Sequence, residues 1–199
     1  HGFPHGIVGS ADLRDPKVSE LLERHCQYPN MRGIRDFSYG DYLVHPDFHR
    51  GFALLEEYGL IASLDVKWED MEKLALLAEQ HPGVVIVLDH AGFPTERTKE
   101  YFGNWMGGIA RIAECENIYC KVSGLGMGDN EWDTERIRPW VDHCIDCFSD
   151  DRTIFASNWP VDSLWSDYGA IVQAYREILS VRPEVEQEKI FGGNAAHLY

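Results

Sequence analysis

No stretch of this sequence approaches the eighteen or so apolar residues of a membrane-spanning helix, and no signal-peptide pattern stands at its head. Positive charge is scarce: 18 Lys and Arg face 33 Asp and Glu, a formal net charge of −15. Such a surface repels phosphate backbones and anionic lipid, so neither nucleic acid nor a membrane is expected as a partner. The glycine fingerprints of nucleotide binding are missing too. Where a dinucleotide site needs G-x-G-x-x-G, the chain places Asp12-Leu13-Arg14-Asp15-Pro16, and no P-loop pattern occurs. Cysteines number only five, an odd count in a chain long enough to bury a core, so reduced thiols and a cytoplasmic setting are expected. Cys144 and Cys147 form a single C-x-x-C inside a helical pattern, with no second pair to complete a metal or redox motif.

What is present is alternation. Runs rich in β-formers span Gly6–Asp12, Met31–Asp36, Leu60–Val66, Val84–His90 and Ile118–Ser123, with a sixth beginning at Thr153. Helical spacing fills the gaps. Asp15-Pro16 supplies a cap and an N1 proline for the first helix, and His45-Pro46-Asp47 opens the second, which Gly59 closes. Further helices are predicted at 69–80, about 95–115, 133–148 and 167–181, with terminal helical turns from Glu184 to Tyr199. Gly103, Gly107 and Gly108 predict a bend or a break in the fourth. Strand starts fall 24 to 35 residues apart, the size of right-handed βα units.

Six such units would complete a doubly wound sheet, or would make most of a (β/α)8 barrel, which takes about 250 residues. The missing nucleotide fingerprint favours the barrel. The expected fold is therefore α/β: one TIM-barrel domain over 1–199 with about six of eight βα units. The chain starts at His1 and enters a strand at once, so it is expected to be a fragment whose first two strands are missing. Two open strand edges then predict poor solubility or self-association.

Every predicted strand ends in groups that can bind or react: Asp12; Arg35 and Asp36; Asp65 and Lys67; Asp89 and His90; Lys121 and Ser123; Ser157 and Asn158. On a barrel these ends converge on one face, which describes a polar pocket. His90 is the sharpest candidate, since an imidazole titrates near neutrality and its nitrogens bind metals. Arg35 and Lys121 suit a substrate carboxylate or a polarised carbonyl, or equally a structural pairing with Asp36 or Asp89. Asp162 reads either as a catalytic carboxylate or as the cap of the helix beyond it. Asp12 and Asp65 read as ligating or orienting groups, or as acceptors of loop N–H bonds. His45 and His49, at i, i+4 without an intervening Glu next to the first His, read as a solvated helix face.

Six motifs occur in order: Gly6-Ile7-Val8-Gly9-Ser10-Ala11-Asp12-Leu13, Arg32-Gly33-Ile34-Arg35, Leu88-Asp89-His90-Ala91-Gly92-Phe93-Pro94, Lys121-Val122-Ser123-Gly124-Leu125, Ser157-Asn158-Trp159-Pro160-Val161 and Gly193-Asn194-Ala195-Ala196. Together they resemble the amidohydrolase-related family (amidohydrolase family 2), and within it the sugar-lactone and 2-pyrone-4,6-dicarboxylate lactonase group. The resemblance implies a distorted (β/α)8 barrel of the metal-dependent hydrolase type, with the strands here as its third to eighth. It implies that the family's His-x-His strand lies outside this sequence. A divalent metal such as zinc is thus left open for the full-length protein, and His90 is the one candidate ligand in this chain. His90 matches the family's sixth-strand histidine. Asn158 stands where most members carry the eighth-strand aspartate that activates water, and an amide cannot accept that proton.

The resemblance implies a hydrolase that opens a lactone or similar cyclic ester of a small carboxylated or polyhydroxylated compound by water attack at the carbonyl. His90, Asn158 and Asp162 form its catalytic set, and Arg35, Lys121, Ser123 and Trp159 its substrate side. Two compensations for Asn158 are considered: His90 as the base, or Asp162 reaching back from four residues on. Decarboxylation and ligand binding without turnover are the alternatives. A small molecule is the expected partner, with a homo-oligomer left open.

Overall fold

The computed structural model describes residues 4–199. Six parallel strands form one sheet: β1 (Ile7–Ser10), β2 (Met31–Asp36), β3 (Ile61–Leu64), β4 (Ile86–Leu88), β5 (Ile118–Val122) and β6 (Thr153–Phe155). Each pairs with the next in sequence, in the order β1-β2-β3-β4-β5-β6. A doubly wound sheet must reverse direction at a switch point. No reversal occurs here, so the arrangement is that of consecutive barrel units.

The intervening helices are α1 (Val18–Cys26), α2 (Pro46–Glu57), α3 (Met71–Gln80), α4 (Lys99–Ala113), α5 (Thr134–Phe148) and α6 (Tyr168–Leu179). Each lays an apolar stripe on the sheet: Phe48, Phe52 and Leu55 from α2, Met71, Leu74 and Leu77 from α3, and Trp105, Ile109 and Ile112 from α4 are buried. The middle strands are covered on both faces, which is why β3 and β4 are buried at every position. A terminal helical segment follows as α7 (Glu184–Glu188), a π-helical turn over Lys189–Gly193 and α8 (Asn194–Leu198). It packs on β6, where Phe155 meets Phe191 and Asn194 Nδ2 donates to the Thr153 carbonyl at 2.8 Å. Its last residue, Tyr199, reaches Gly6 at the foot of β1.

Several expectations are corrected. The fourth helix is continuous: Gly103 and Gly107 face open space, and Gly108 admits the Met71 side chain, so the three glycines lighten the helix without breaking it. Helix α1 begins at Val18, because Asp15 Oδ1 accepts the Lys17 N–H (2.8 Å) and holds Asp15-Pro16 in a turn ahead of it. The expectation of a solvated His45/His49 face holds for His45, which is exposed, and fails for His49. His45 is the N-cap of α2, and the partly buried His49 bridges His81 Nε2 (3.2 Å) and the Leu43 carbonyl (2.8 Å). The expected strand 84–90 stops at Leu88, and the chain then enters a left-handed turn.

Candidate active site

That turn sets the site. His90, Ala91, Gly92 and Phe93 have φ of 55°, 51°, 76° and 49°. Three of the four are not glycine, and each such residue costs about 1–2 kcal/mol. Glycine is favoured at 92 by its φ of 76° and by the Val66 carbonyl, which would lie 3.1 Å from a Cβ there. Trp105, fully buried on α4, donates its indole N–H to the Ala91 carbonyl at 2.8 Å and pins the turn from behind. The result swings His90 out of the strand line toward the carboxyl ends of its neighbours.

Beneath His90 lies Asp89, with no exposed surface. Lys121 Nζ donates to its Oδ1 at 2.5 Å, and Ser63 Oγ donates to its Oδ2 at 2.6 Å. Arg35 Nε stands 3.5 Å from the same Oδ2, while its other arm donates to Asp65 Oδ2. Two cations thus match two carboxylates across β2, β3, β4 and β5. Arg35 and Lys121 therefore take the structural pairing with buried acid that the sequence allowed, although the partner of both is Asp89 and not Asp36. Asp36 is spoken for by the backbone N–H groups of Leu13 (2.7 Å) and Ser38 (2.6 Å).

His90 bonds Ser123 Oγ through Nδ1 at 2.9 Å, and its Nε2 lies 3.9 Å from Asp65 Oδ1. Burial pushes its pKa below the usual 6.5; Asp89 and Asp65 oppose this shift, and Arg35 and Lys121 reinforce it. Burial thus favours the neutral ring. It opens on a cavity of about 540 Å3, with Arg35, Asp65, Lys67, Phe37 and Phe93 among its walls. That size is usual for small-ligand sites.

Lys121, Ser123, Asn158 and Trp159 are not on this cavity wall. Lys121 and Ser123 sit behind Asp89 and His90, acting on them from the barrel interior. Trp159 is exposed on the loop after β6, edge-on to Tyr168 at 5.7 Å. Asn158 lies close to His90 across Gly124, whose Cβ, if present, would stand 2.9 Å from both His90 Nδ1 and Asn158 Nδ2. Asp162 is 4 % exposed and does not cap the next helix, a task done by Asp167. It reaches back, and Asn158 Nδ2 donates to its Oδ1 at 2.6 Å. Burial raises the Asp162 pKa, and the Asn158 hydrogen bond partly offsets the rise. Asp12 turns away to its own loop, accepting the N–H of Arg14.

The donor set does not fit a divalent ion. Among the described residues no three His, Cys, Asp or Glu side chains converge as ligands. His90 has Nε2 alone to offer, since Nδ1 bonds Ser123, and Asn158 presents an amide and no carboxylate. Cys144 and Cys147 are free thiols, the former buried on α5. Asp65 and Lys67 carry more of the cavity than the sequence suggested. The Phe37–Leu43 segment that forms its outer wall gave no sequence signal, being a loop without a motif.

The fold is that of a parallel-barrel hydrolase. The family model described as Amidohydrolase matches residues 1–199, and the chain belongs to that family. The uncharacterized protein y4mH of Sinorhizobium fredii (strain NBRC 101917 / NGR234) is 41 % identical over 211 residues, covering 100 % of this chain and 71 % of that protein. An L-fucono-1,5-lactonase of Burkholderia ambifaria is 28 % identical over 207 residues, covering 99 % of this chain and 71 % of the enzyme. A crystal structure of an amidohydrolase from Burkholderia multivorans, with bound zinc, superposes with a TM-score of 0.90 at 25 % identity, over 98 % of this chain and 73 % of that one. No helix of the described residues is long and apolar enough to cross a membrane.

Proposed function

We propose that this chain carries the site of a lactone hydrolase acting on a small-molecule substrate in the cavity beside His90. The observation that carries the reading is a neutral imidazole on the cavity wall, with Asp65 Oδ1 3.9 Å from its Nε2 and Arg35 close by. The lactonase relative points the same way. A lactone is an ester, so the chemistry requires a proton taken from attacking water and one given to the departing ring oxygen.

In this scheme His90 Nδ1–H donates to Ser123 Oγ, which leaves the Nε2 lone pair facing the cavity. Nε2 takes the proton of water as the water oxygen attacks the carbonyl carbon. Asp65 steadies the imidazolium that forms, and Arg35, always charged, faces the oxyanion. Nε2–H then protonates the ring oxygen as its bond to the carbonyl carbon breaks, giving a hydroxy acid. Asn158 cannot carry a proton. Its amide, fixed by Asp162, orients water or substrate.

The test is hydrolysis of a panel of sugar lactones followed by pH-stat titration. His90→Gln should lower kcat by about 10²–10⁴-fold. The wild-type rate should fall on the acid side at a pH below 6.5, where the depressed His90 pKa lies. Unchanged turnover in the His90→Gln variant would refute the scheme.

A further inference from the structure

Resting on the lactonase reading, we infer that Lys67 is the specificity residue of the cavity and that the preferred lactone carries one carboxylate on its substituent. The argument is a charge inventory of the walls. Arg35, the obvious anion holder, is already matched: with Lys121 it balances Asp65 and Asp89, two cations against two acids. Asp36 is held by two backbone N–H groups, and Asp70 pairs with Lys73 at 2.7 Å. Lys67 and Glu69 are left, a wall cation and a wall acid that form no ion pair among the described residues.

Its position suits the task. Lys67 follows Asp65 by two residues at the end of β3, and its ammonium lies 5.9 Å from the centroid of the Phe93 ring, three residues beyond His90. A substrate carboxylate on Lys67 therefore holds the lactone beside Phe93, on the cavity side of His90. Glu69 limits the inference to one carboxylate. It is exposed on the cavity wall, and its charge repels a second anionic group. Lys67 is exposed as well, so its attraction is screened by solvent and its effect is a selectivity and not an all-or-none requirement.

The experiment compares two lactones that share a ring and differ at one terminal carbon: D-galactono-1,4-lactone, with a hydroxymethyl group, and D-galactaro-1,4-lactone, with a carboxylate. The chain should prefer the acid lactone. Lys67→Met should lower the acid-to-neutral ratio of kcat/KM by about tenfold through KM, Lys67→Arg should restore most of it, and added salt should erode it. A neutral preference in the wild type, or an unaltered ratio in Lys67→Met, overturns the inference. A binding arm separates its failure from that of the lactonase reading. If no lactone is hydrolysed, the galactarolactone should still raise the melting temperature more than the galactonolactone, with the difference lost in Lys67→Met. Equal shifts by the two lactones, or a difference that survives the substitution, would refute the assignment independently of catalysis.

Discussion

At the scale of the residue, the decisive substitution is the amide at Asn158. The carboxylate at hand is Asp162, whose burial holds its pKa above the ordinary aspartate value of 3.8. A carboxyl group with a folded pKa above its unfolded one weakens the fold wherever it is charged in both states. That penalty is complete above the folded pKa and disappears as pH falls below the unfolded one. Asp162→Asn removes the buried charge and leaves an oxygen to accept from Asn158. Its melting temperature should exceed that of the wild type at pH 7–8, with the gap closing as the pH drops through the raised Asp162 value. Turnover reports on chemistry in the same variant. A loss beyond about tenfold would make Asp162, not His90, the proton acceptor.

At the scale of the element, the site depends on the turn after β4. Trp105 is its hidden support, since the indole N–H is the donor to the buried Ala91 carbonyl. Trp105→Phe keeps an aromatic ring and removes that donor, at a cost of about 1–3 kcal/mol by urea unfolding. Because Ala91 adjoins His90, kcat should fall along with stability, and a stability loss with full kcat would show that the turn holds without it.

This is also where sequence reading reached its limit. Strand starts were legible to within two residues, because β-rich runs separated by helical spacing leave little choice. The end of β4 was not, because nothing in Leu88-Asp89-His90-Ala91 announces left-handed backbone except the glycine that follows. Gly103 and Gly107 misled for the opposite reason: a propensity cost of about 1 kcal/mol each is outweighed by the buried face of Trp105, Ile109 and Ile112. At the site, His90 was legible as chemistry, but the division of labour among the cations was not. Which of Arg35, Lys67 and Lys121 is left for a ligand depends on where Asp65 and Asp89 fall in space.

At the scale of the whole molecule, Asp89 binds together the four middle strands, β2 to β5, of the sheet. Asp89→Asn leaves Lys121 and Arg35 without their shared counter-charge, and Lys121→Met leaves a buried carboxylate. Each should cost about 3–5 kcal/mol in urea unfolding. The double variant should cost less than the two together, with a coupling of about 1–3 kcal/mol. Strict additivity would mean that the pair does not act as a unit. Elsewhere the sheet is less guarded: Ile7 and Val8 of β1 are 36 % and 37 % exposed.

The same network has a consequence for assembly. Each strand pairs only with its sequence neighbour, so an error at one junction would carry through all the later ones. Parallel apolar strands such as β3 and β4 offer little to stop a slip, since one buried face resembles the other. Asp89 supplies the check. Moved by one residue it would point into the helix layer, away from Ser63, Arg35 and Lys121, and a stranded charge there costs several kcal/mol. The ion cluster under the active site therefore holds β4 in register with β2, β3 and β5.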